Sequence, residues 1–293
     1  MDRVGGGFDH RDALLSRLRA GPGEEARQEI AVTATTPVPS RWTLRTIRAT
    51  FPWLHGYGLS GVWRLLRRCN LKLRSARIQQ YSPDPEYGSK VARLEQCLQE
   101  VMAAPHQVVV VFMDEMGFTR WAEPASTWAE VGRDTVPVAQ RSGTNNQQWR
   151  IIGGLNAWTG QVDYLDGYIV GRAKVIAFYH HVAHAYADAE RIYVVQDNWS
   201  IHQHEEVVEA VQQLPQIEPV WLPTYAPWLN PIEKVWRWLR QDVLKLHRLA
   251  NDWPGLRQQV RIFLDQFAHG SSQLLHYVGL CGEGQLAQAL HGS

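Results

Sequence analysis

Three acidic residues stand where carboxylates could hold metal ions. Asp114 follows the apolar run 108–113, Asp197 follows the apolar run 192–196, and Glu233 lies near the start of a helical pattern. Carboxylates without neighbouring thiolates favour hard cations such as Mg²⁺ or Mn²⁺. Two such ions about 4 Å apart can assist an in-line phosphoryl displacement. The pattern therefore indicates metal-dependent phosphoryl transfer.

Each carboxylate also has a purely structural explanation. Asp114 and Asp197 are of the residue type that commonly closes a strand in a turn. Glu233 occupies the third helical position if Asn230 is the N-cap and Pro231 opens the helix, and a capping box and the helix dipole both favour an acid there. The three carboxylates occupy equivalent places in a strand–strand–helix order, at the ends of two strands and the start of a helix. Together, they therefore favour a shared site.

The elements around these residues alternate between strands and helices, which predicts a mixed α/β sheet. The continuous apolar run 108–113 predicts a central strand that is buried on both faces. Further strands are expected at 126–132, 150–157, 162–170, 192–196 and 218–222, and helices at 86–102, 174–187, 203–213, 230–246 and 256–267. Because ligand sites in such sheets lie beyond the carboxyl ends of strands, we expect the two aspartates to meet there.

A basic segment precedes this sheet. Residues 38–83 carry nine cations and no acid, so the rest of the chain has a net charge of −8 against a total of +1. We expect one helix from the N-cap Ser40 to Phe51, a turn at 55–58 and a second helix capped by Ser60. The second helix has an apolar stripe with arginines opposite, which is typical of a DNA-binding helix-turn-helix, although a solvated basic face is the alternative. The expected DNA contacts are Arg45, Arg48, Arg64, Arg67, Arg68, Lys72 and Arg74.

Three motifs together resemble those of the DDE transposases, in the bacterial insertion-sequence branch of the mariner-like superfamily. They are DEMGF after the first strand, VVQDNWSIH around the second and LPTYAPWLNPIEKVW before the last helix, and the resemblance extends over residues 41–246. It implies an RNase H-like catalytic domain with Asp114, Asp197 and Glu233 as the catalytic, metal-binding triad, with two Mg²⁺ or Mn²⁺ ions. It also implies supporting roles for Asn198, His202 and Asn230, and a DNA-backbone contact for Lys234.

The resemblance implies cut-and-paste transposition, in which the protein cleaves the ends of an insertion sequence and transfers the strands to target DNA. The implied partners are double-stranded DNA, with a TA target, and a second copy in a homodimer on that DNA, at the bacterial nucleoid in the cytoplasm. Two alternatives stay open. One is a truncated or domesticated DNA-binding protein without transposition activity, and the other is a metal-dependent endonuclease without strand transfer.

The expected domain organisation has five parts. Residues 1–37 are interpreted as an irregular remnant of a first helix-turn-helix unit, left by truncation or by a late start codon. They are followed by the helix-turn-helix module (38–80), a linker and helix (81–105), the catalytic domain (106–250) and a C-terminal helical segment (251–293). The three separated cysteines exclude a CxxC-type zinc cluster and a disulfide framework. The longest apolar run is far below the ~20 residues of a membrane span.

Overall fold

The computed structural model describes residues 41–74, 81–132 and 134–281. These residues form two compact units, and the division falls after residue 78. The predicted remnant at 1–37 and the predicted cap Ser40 lie outside the described residues, as does the end of the C-terminal segment.

The first unit is a pair of short helices around a small core. Helix α1 (Leu44–Thr50) is capped by Thr43, whose side chain accepts a hydrogen bond from the Thr46 amide. A 3₁₀ turn leads to helix α2 (Leu59–Arg68), which begins after Gly58, so the prediction of Ser60 as its cap is wrong. The shared core consists of Ile47, Phe51, Leu54, Val62, Leu65 and Leu66. The predicted helix pair is therefore present, with different caps.

The second unit is built on a five-stranded mixed sheet. Its strands are β1 (Val108–Thr119), β2 (Gln148–Asn156), β3 (Val162–Gly167), β4 (Arg191–Gln196) and β5 (Ile217–Trp221), in the order β3-β2-β1-β4-β5. Strands β1, β4 and β5 run parallel, whereas β2 and β3 are antiparallel to their neighbours. The predicted mixed α/β sheet is confirmed.

Helices cover both faces of this sheet. Helices α4 (Arg172–Ala185) and α5 (Glu205–Gln212) pack on one face. The other face carries α3 (Tyr87–Ala103), α6 (Ile232–Leu239), α7 (Trp253–Asp265) and α8 (Ser272–Val278). Alternate residues of β1 enter opposite cores, with Val110 and Phe112 on one side and Val109 and Val111 on the other. This strand is therefore buried on both faces, as the sequence predicts.

Three predictions about the elements are wrong. Residues 126–132 form no strand and are exposed, because they pair with no neighbouring strand. Strand β1 does not end at residue 113, because β2 pairs with it from Val111 to Thr119 after its parallel pairing with β4 has stopped at Phe112. The helix predicted at 230–246 ends at Leu239 and continues as a π turn over Arg240–Leu244. Within the described residues, no helix combines the length and the apolar character that crossing a membrane requires.

Candidate active site

The two aspartates come together through the register of two parallel strands. The last parallel pair of β1 and β4 is Phe112 with Val195. Asp114 and Asp197 each lie two residues beyond that pair, so they reach the same end of adjacent strands on the same side of the sheet. Because β1 continues to Thr119, Asp114 is not a turn residue. Asp197 does accept a hydrogen bond from the Trp199 amide at 3.0 Å, as a turn aspartate would.

Glu233 is brought to the same place by helix α6. The helix packs its buried residues Ile232, Val235, Trp236 and Leu239 against the sheet, which directs Glu233 towards the strand ends. The predicted capping box is wrong: Pro231 precedes the helix and no side chain caps it. The side-chain Nδ2 of Asn230 instead donates to the carbonyl of Met113 at 3.0 Å, so it ties the start of α6 to β1 beside Asp114.

Asp114 lies in an environment that opposes its negative charge. Burial, followed by repulsion from Glu233 and Glu115, raises the pKa of Asp114 from 3.8 to about 8. Burial likewise raises the pKa of Glu233, and Asp197 adds to the effect, whereas Arg237 and Arg240 act against it. Carboxylates held close together without matching cations are a favourable place for a divalent ion.

Trp236 holds the Asp114 carboxylate in place. Its indole Nε1 donates to Asp114 Oδ2 at 2.9 Å, and its ring lies over Gly153 of β2. A Cβ at Gly153 would come within 2.7 Å of Trp236 Cη2, so only glycine leaves room for this ring. Gly153 is also the residue paired with Asp114 in the sheet. Trp236 therefore packs against the strand residue that pairs with Asp114 and also donates a hydrogen bond to the Asp114 carboxylate.

The three carboxylates line one cleft of about 440 Å³. The rest of its wall consists of Asn198, Trp199, Leu222, Pro223, Thr224, Tyr225, Ala226, Pro227 and Asn230. Asn198 donates to the Leu222 carbonyl at 2.8 Å and to Thr224 Oγ1 at 3.3 Å, so it fixes the loop opposite rather than Asp197 itself.

Glu115 belongs to this region, although no role was predicted for it. Its Oε1 lies 3.4 Å from His202 Nε2, which is itself 3.7 Å from Asp197 Oδ1. Potential ligand atoms of Glu115, Asp197 and His202 all lie within 4.8 Å of one another. Asp114 and Glu233 stand outside this tight group. The sequence did contain a signal for Glu115, because this residue directly follows Asp114 in a strand that is buried on both faces. Neighbouring strand residues point to opposite faces, so a second carboxylate was available on the face opposite Asp114.

The donor set fits a hard divalent cation. All three predicted ligands offer carboxylate oxygens, which Mg²⁺ and Mn²⁺ prefer. Asn230 lines the cleft, and its buried Oδ1 has no hydrogen-bond partner among the described residues. An acidic, oxygen-lined cleft with an unpaired oxygen acceptor is able to hold such an ion.

The cations that were predicted to bind DNA differ in their surroundings. Arg45, Arg64, Arg67, Arg68, Lys72 and Arg74 of the first unit are exposed, and Arg48 is half-buried. Lys234 of the second unit donates to the Val278 carbonyl at 2.7 Å, and burial lowers the pKa of its ammonium. Lys234 thus joins α6 to the end of α8, and its contact with DNA stays a prediction.

Comparisons with known proteins show which proteins the chain resembles. A protein of Shigella sonnei described as "Insertion element IS630 uncharacterized 39 kDa protein" is 24% identical over 261 residues, which cover 88% of this chain and 71% of that protein. The Mos1 mariner paired end complex with Mn is similar in fold, with a TM-score of 0.57 at 12% identity over 100% of this chain and 89% of that chain. The Mos1 strand transfer complex has a TM-score of 0.53 at 12% identity, over 99% and 88%.

A family model shows to which family the chain belongs. The model for the DDE superfamily endonuclease matches residues 109–256, just over half of the chain, and this range contains all three carboxylates. The fold agrees with the RNase H-like domain that the resemblance implied. The chain therefore belongs to the DDE superfamily endonucleases, as the resemblance implied, and its likeness to the Mos1 mariner structures is one of fold.

Proposed function

We propose that this protein is a transposase that cuts DNA at the ends of an insertion sequence and joins the freed ends to target DNA. The observation that carries the proposal is the convergence of Asp114, Asp197 and Glu233 in one cleft at the ends of two parallel strands. Membership of the DDE endonucleases supports it. The Shigella relative, named for an insertion element, supports it as well.

The proposed chemistry consists of two displacements at phosphorus. Water attacks the phosphodiester at the element end, the bond from phosphorus to the 3′ oxygen breaks, and a 3′ hydroxyl is released. That hydroxyl attacks a target phosphodiester and displaces its 3′ oxygen. Divalent cations, when bound, supply activation of the attacking oxygen and neutralise charge on the leaving oxygen. Asp114, Asp197 and Glu233 would hold the two ions proposed.

Other side chains keep these carboxylates in position. Trp236 directs Asp114 through its indole N–H, and Asn230 holds the helix that carries Glu233. His202 lies within 4 Å of both Asp197 and Glu115, where it limits the movement of the exposed Asp197 side chain. Such supporting contacts typically change metal affinity or activity by about 10- to 100-fold.

DNA binding is assigned to the first unit. Helix α2 presents Arg64, Arg67 and Arg68 to solvent while its opposite side is buried, which suits a helix that enters the major groove. We propose residues 38–80 as the DNA-binding module and 106–250 as the catalytic domain. We also propose that the protein acts as a homodimer, because two DNA ends are to be joined, and that it uses a TA target at the bacterial nucleoid, as the resemblance implies.

DNA cleavage is the direct test. Duplexes that carry the inverted repeats flanking the gene are incubated with the protein and Mg²⁺ or Mn²⁺, and cleavage by the native chain is compared with Asp197→Ala. Asp188→Ala, which removes an exposed acid elsewhere in the unit, is the matched control. We expect metal-dependent cutting that is lost in the first variant and kept in the control.

The same experiment separates the alternative functions. Binding without cutting by the native chain would identify a DNA-binding protein and contradict the assigned chemistry. Cutting without a joined product would identify an endonuclease that lacks strand transfer. If Asp114→Ala binds DNA but does not cut it, binding and catalysis reside in different parts of the chain.

A further inference from the structure

The wall of the cleft opposite the carboxylates contains a strained residue. Tyr225 adopts a left-handed backbone conformation, with φ of 55°, and 77% of its surface is exposed. A residue other than glycine in this conformation persists only where its surroundings enforce it, at a cost of about 1–3 kcal/mol. The contacts that enforce it are therefore part of how the cleft keeps its shape.

These contacts come from residues 82–84, near the start of the second unit. The Ser82 hydroxyl donates to the Thr224 carbonyl at 2.5 Å, and Asp84 Oδ2 accepts from the Thr224 amide at 2.8 Å. The backbone N–H and C=O groups of Thr224 are thus both held from outside the loop, immediately before Tyr225. A second attachment follows, because Trp228 Nε1 donates to the Tyr87 hydroxyl at 3.4 Å.

Asp84 is buried and held in place by hydrogen bonds, which suits it to anchor Thr224. Only 3% of its side chain is exposed, and its other oxygen accepts from the Glu86 amide at 2.9 Å. Lys90 donates to the same oxygen as Thr224, at 2.9 Å. The hydrogen bond from Thr224, followed by those from Lys90 and Glu86, keeps the pKa of Asp84 well below its usual range. Asp84 is thus a fixed anion that accepts from both sides.

The anchored loop reaches the candidate ligands through Asn198. Thr224 Oγ1 accepts from Asn198, the residue that follows Asp197 in the chain. A continuous set of hydrogen bonds therefore links residues 82–84 to Thr224 and Thr224 to Asn198. It ends beside Asp197, a proposed metal ligand.

We infer that Ser82 and Asp84 are positioning residues for the cleft, since they hold Thr224 and with it the strained Tyr225 and the Asn198 side chain. This inference rests on the proposed function for its effect on cleavage. Neither residue touches the reacting atoms. Their loss is expected to slow the chemical step about tenfold or more, because small displacements in an active site are costly. DNA binding should change less than twofold.

The test compares three variants of the full chain. Asp84→Ala and Ser82→Ala each remove one contact to Thr224, whereas Glu86→Ala removes an exposed carboxylate from the same segment and is the matched control. Two quantities are measured: amide hydrogen exchange at residues 224–226, and the single-turnover cleavage rate at saturating protein with Mn²⁺. The protein concentration that gives half-maximal rate is recorded separately.

We expect faster exchange at 224–226 and slower cleavage in the first two variants, with both quantities unchanged in Glu86→Ala. Ser82→Ala keeps the buried carboxylate, so it serves if Asp84→Ala does not fold. Unchanged exchange, or an unchanged cleavage rate in a variant whose loop is loosened, would overturn the inference. If the native chain does not cut DNA, the proposed function fails, and the exchange measurement alone decides whether this segment holds the loop.

Discussion

Replacing Asp114 by asparagine is expected to stabilise the metal-free protein while it abolishes DNA cleavage. Burial and the neighbouring carboxylates raise the pKa of Asp114 from 3.8 to about 8 in the folded state. The unfolded chain releases this proton near pH 4, whereas the folded chain retains it to about pH 8. The unfolded state binds fewer protons in this window, so the free energy of unfolding falls as the pH rises through it.

The size of the effect follows from this difference in pKa. Each pH unit within the window lowers the free energy of unfolding by about 1.4 kcal/mol, which amounts to about 4 kcal/mol between pH 5 and pH 8. Asparagine has nearly the same shape, does not titrate and still accepts from Trp236. For a unit of roughly 200 residues, 1 kcal/mol shifts Tm by about 2–4 °C. The Tm advantage of the variant should therefore grow by about 8–16 °C.

Scanning calorimetry in the presence of a chelator measures this advantage, because it resolves separate transitions of the two units. The native chain and Asp114→Asn are compared at pH 5, 6, 7 and 8, so that contributions from titrating groups remote from Asp114 cancel. Mg²⁺ should raise the Tm of the native chain and not that of the variant, since a ligand stabilises only the state that binds it. A Tm difference that stays constant from pH 5 to pH 8 would refute the reasoning, because Asp114 would then ionise normally.

Three further predictions concern the supports of the site and the DNA contacts. Trp236→Phe keeps the packing but removes the hydrogen bond to Asp114, and it should weaken Mn²⁺ binding by about 10- to 100-fold in a titration calorimeter. A wild-type affinity would exclude a positioning role for the indole. Gly153→Ala places a methyl group against the Trp236 ring and should destabilise the unit by about 1–3 kcal/mol in urea unfolding, whereas Gly143→Ala, in open space, should have little effect. The triple variant R64Q/R67Q/R68Q should bind DNA more weakly, and its plot of log affinity against log salt should be shallower by up to about 3, which an unchanged slope would contradict.

The sequence by itself determined which residues form the framework of the site. A β-branched apolar run such as 108–113 is typical of a strand that is buried on both faces, and two such runs in parallel bring the following aspartates to one edge. The separation of apolar and basic sides on α2 is likewise a local pattern, and the helix pair followed from it. Hydrophobic periodicity is local, which is why these elements could be predicted without knowledge of the fold.

Only the tertiary structure decided how the carboxylates are held. The contacts Asn230 to Met113, Trp236 to Asp114 and Asp84 to Thr224 join residues that lie more than a hundred positions apart. No local pattern encodes them, because they depend on how each helix or loop packs against the sheet. The same reason explains the missing strand at 126–132: strand-forming residues need a partner strand, and the fold supplies none there.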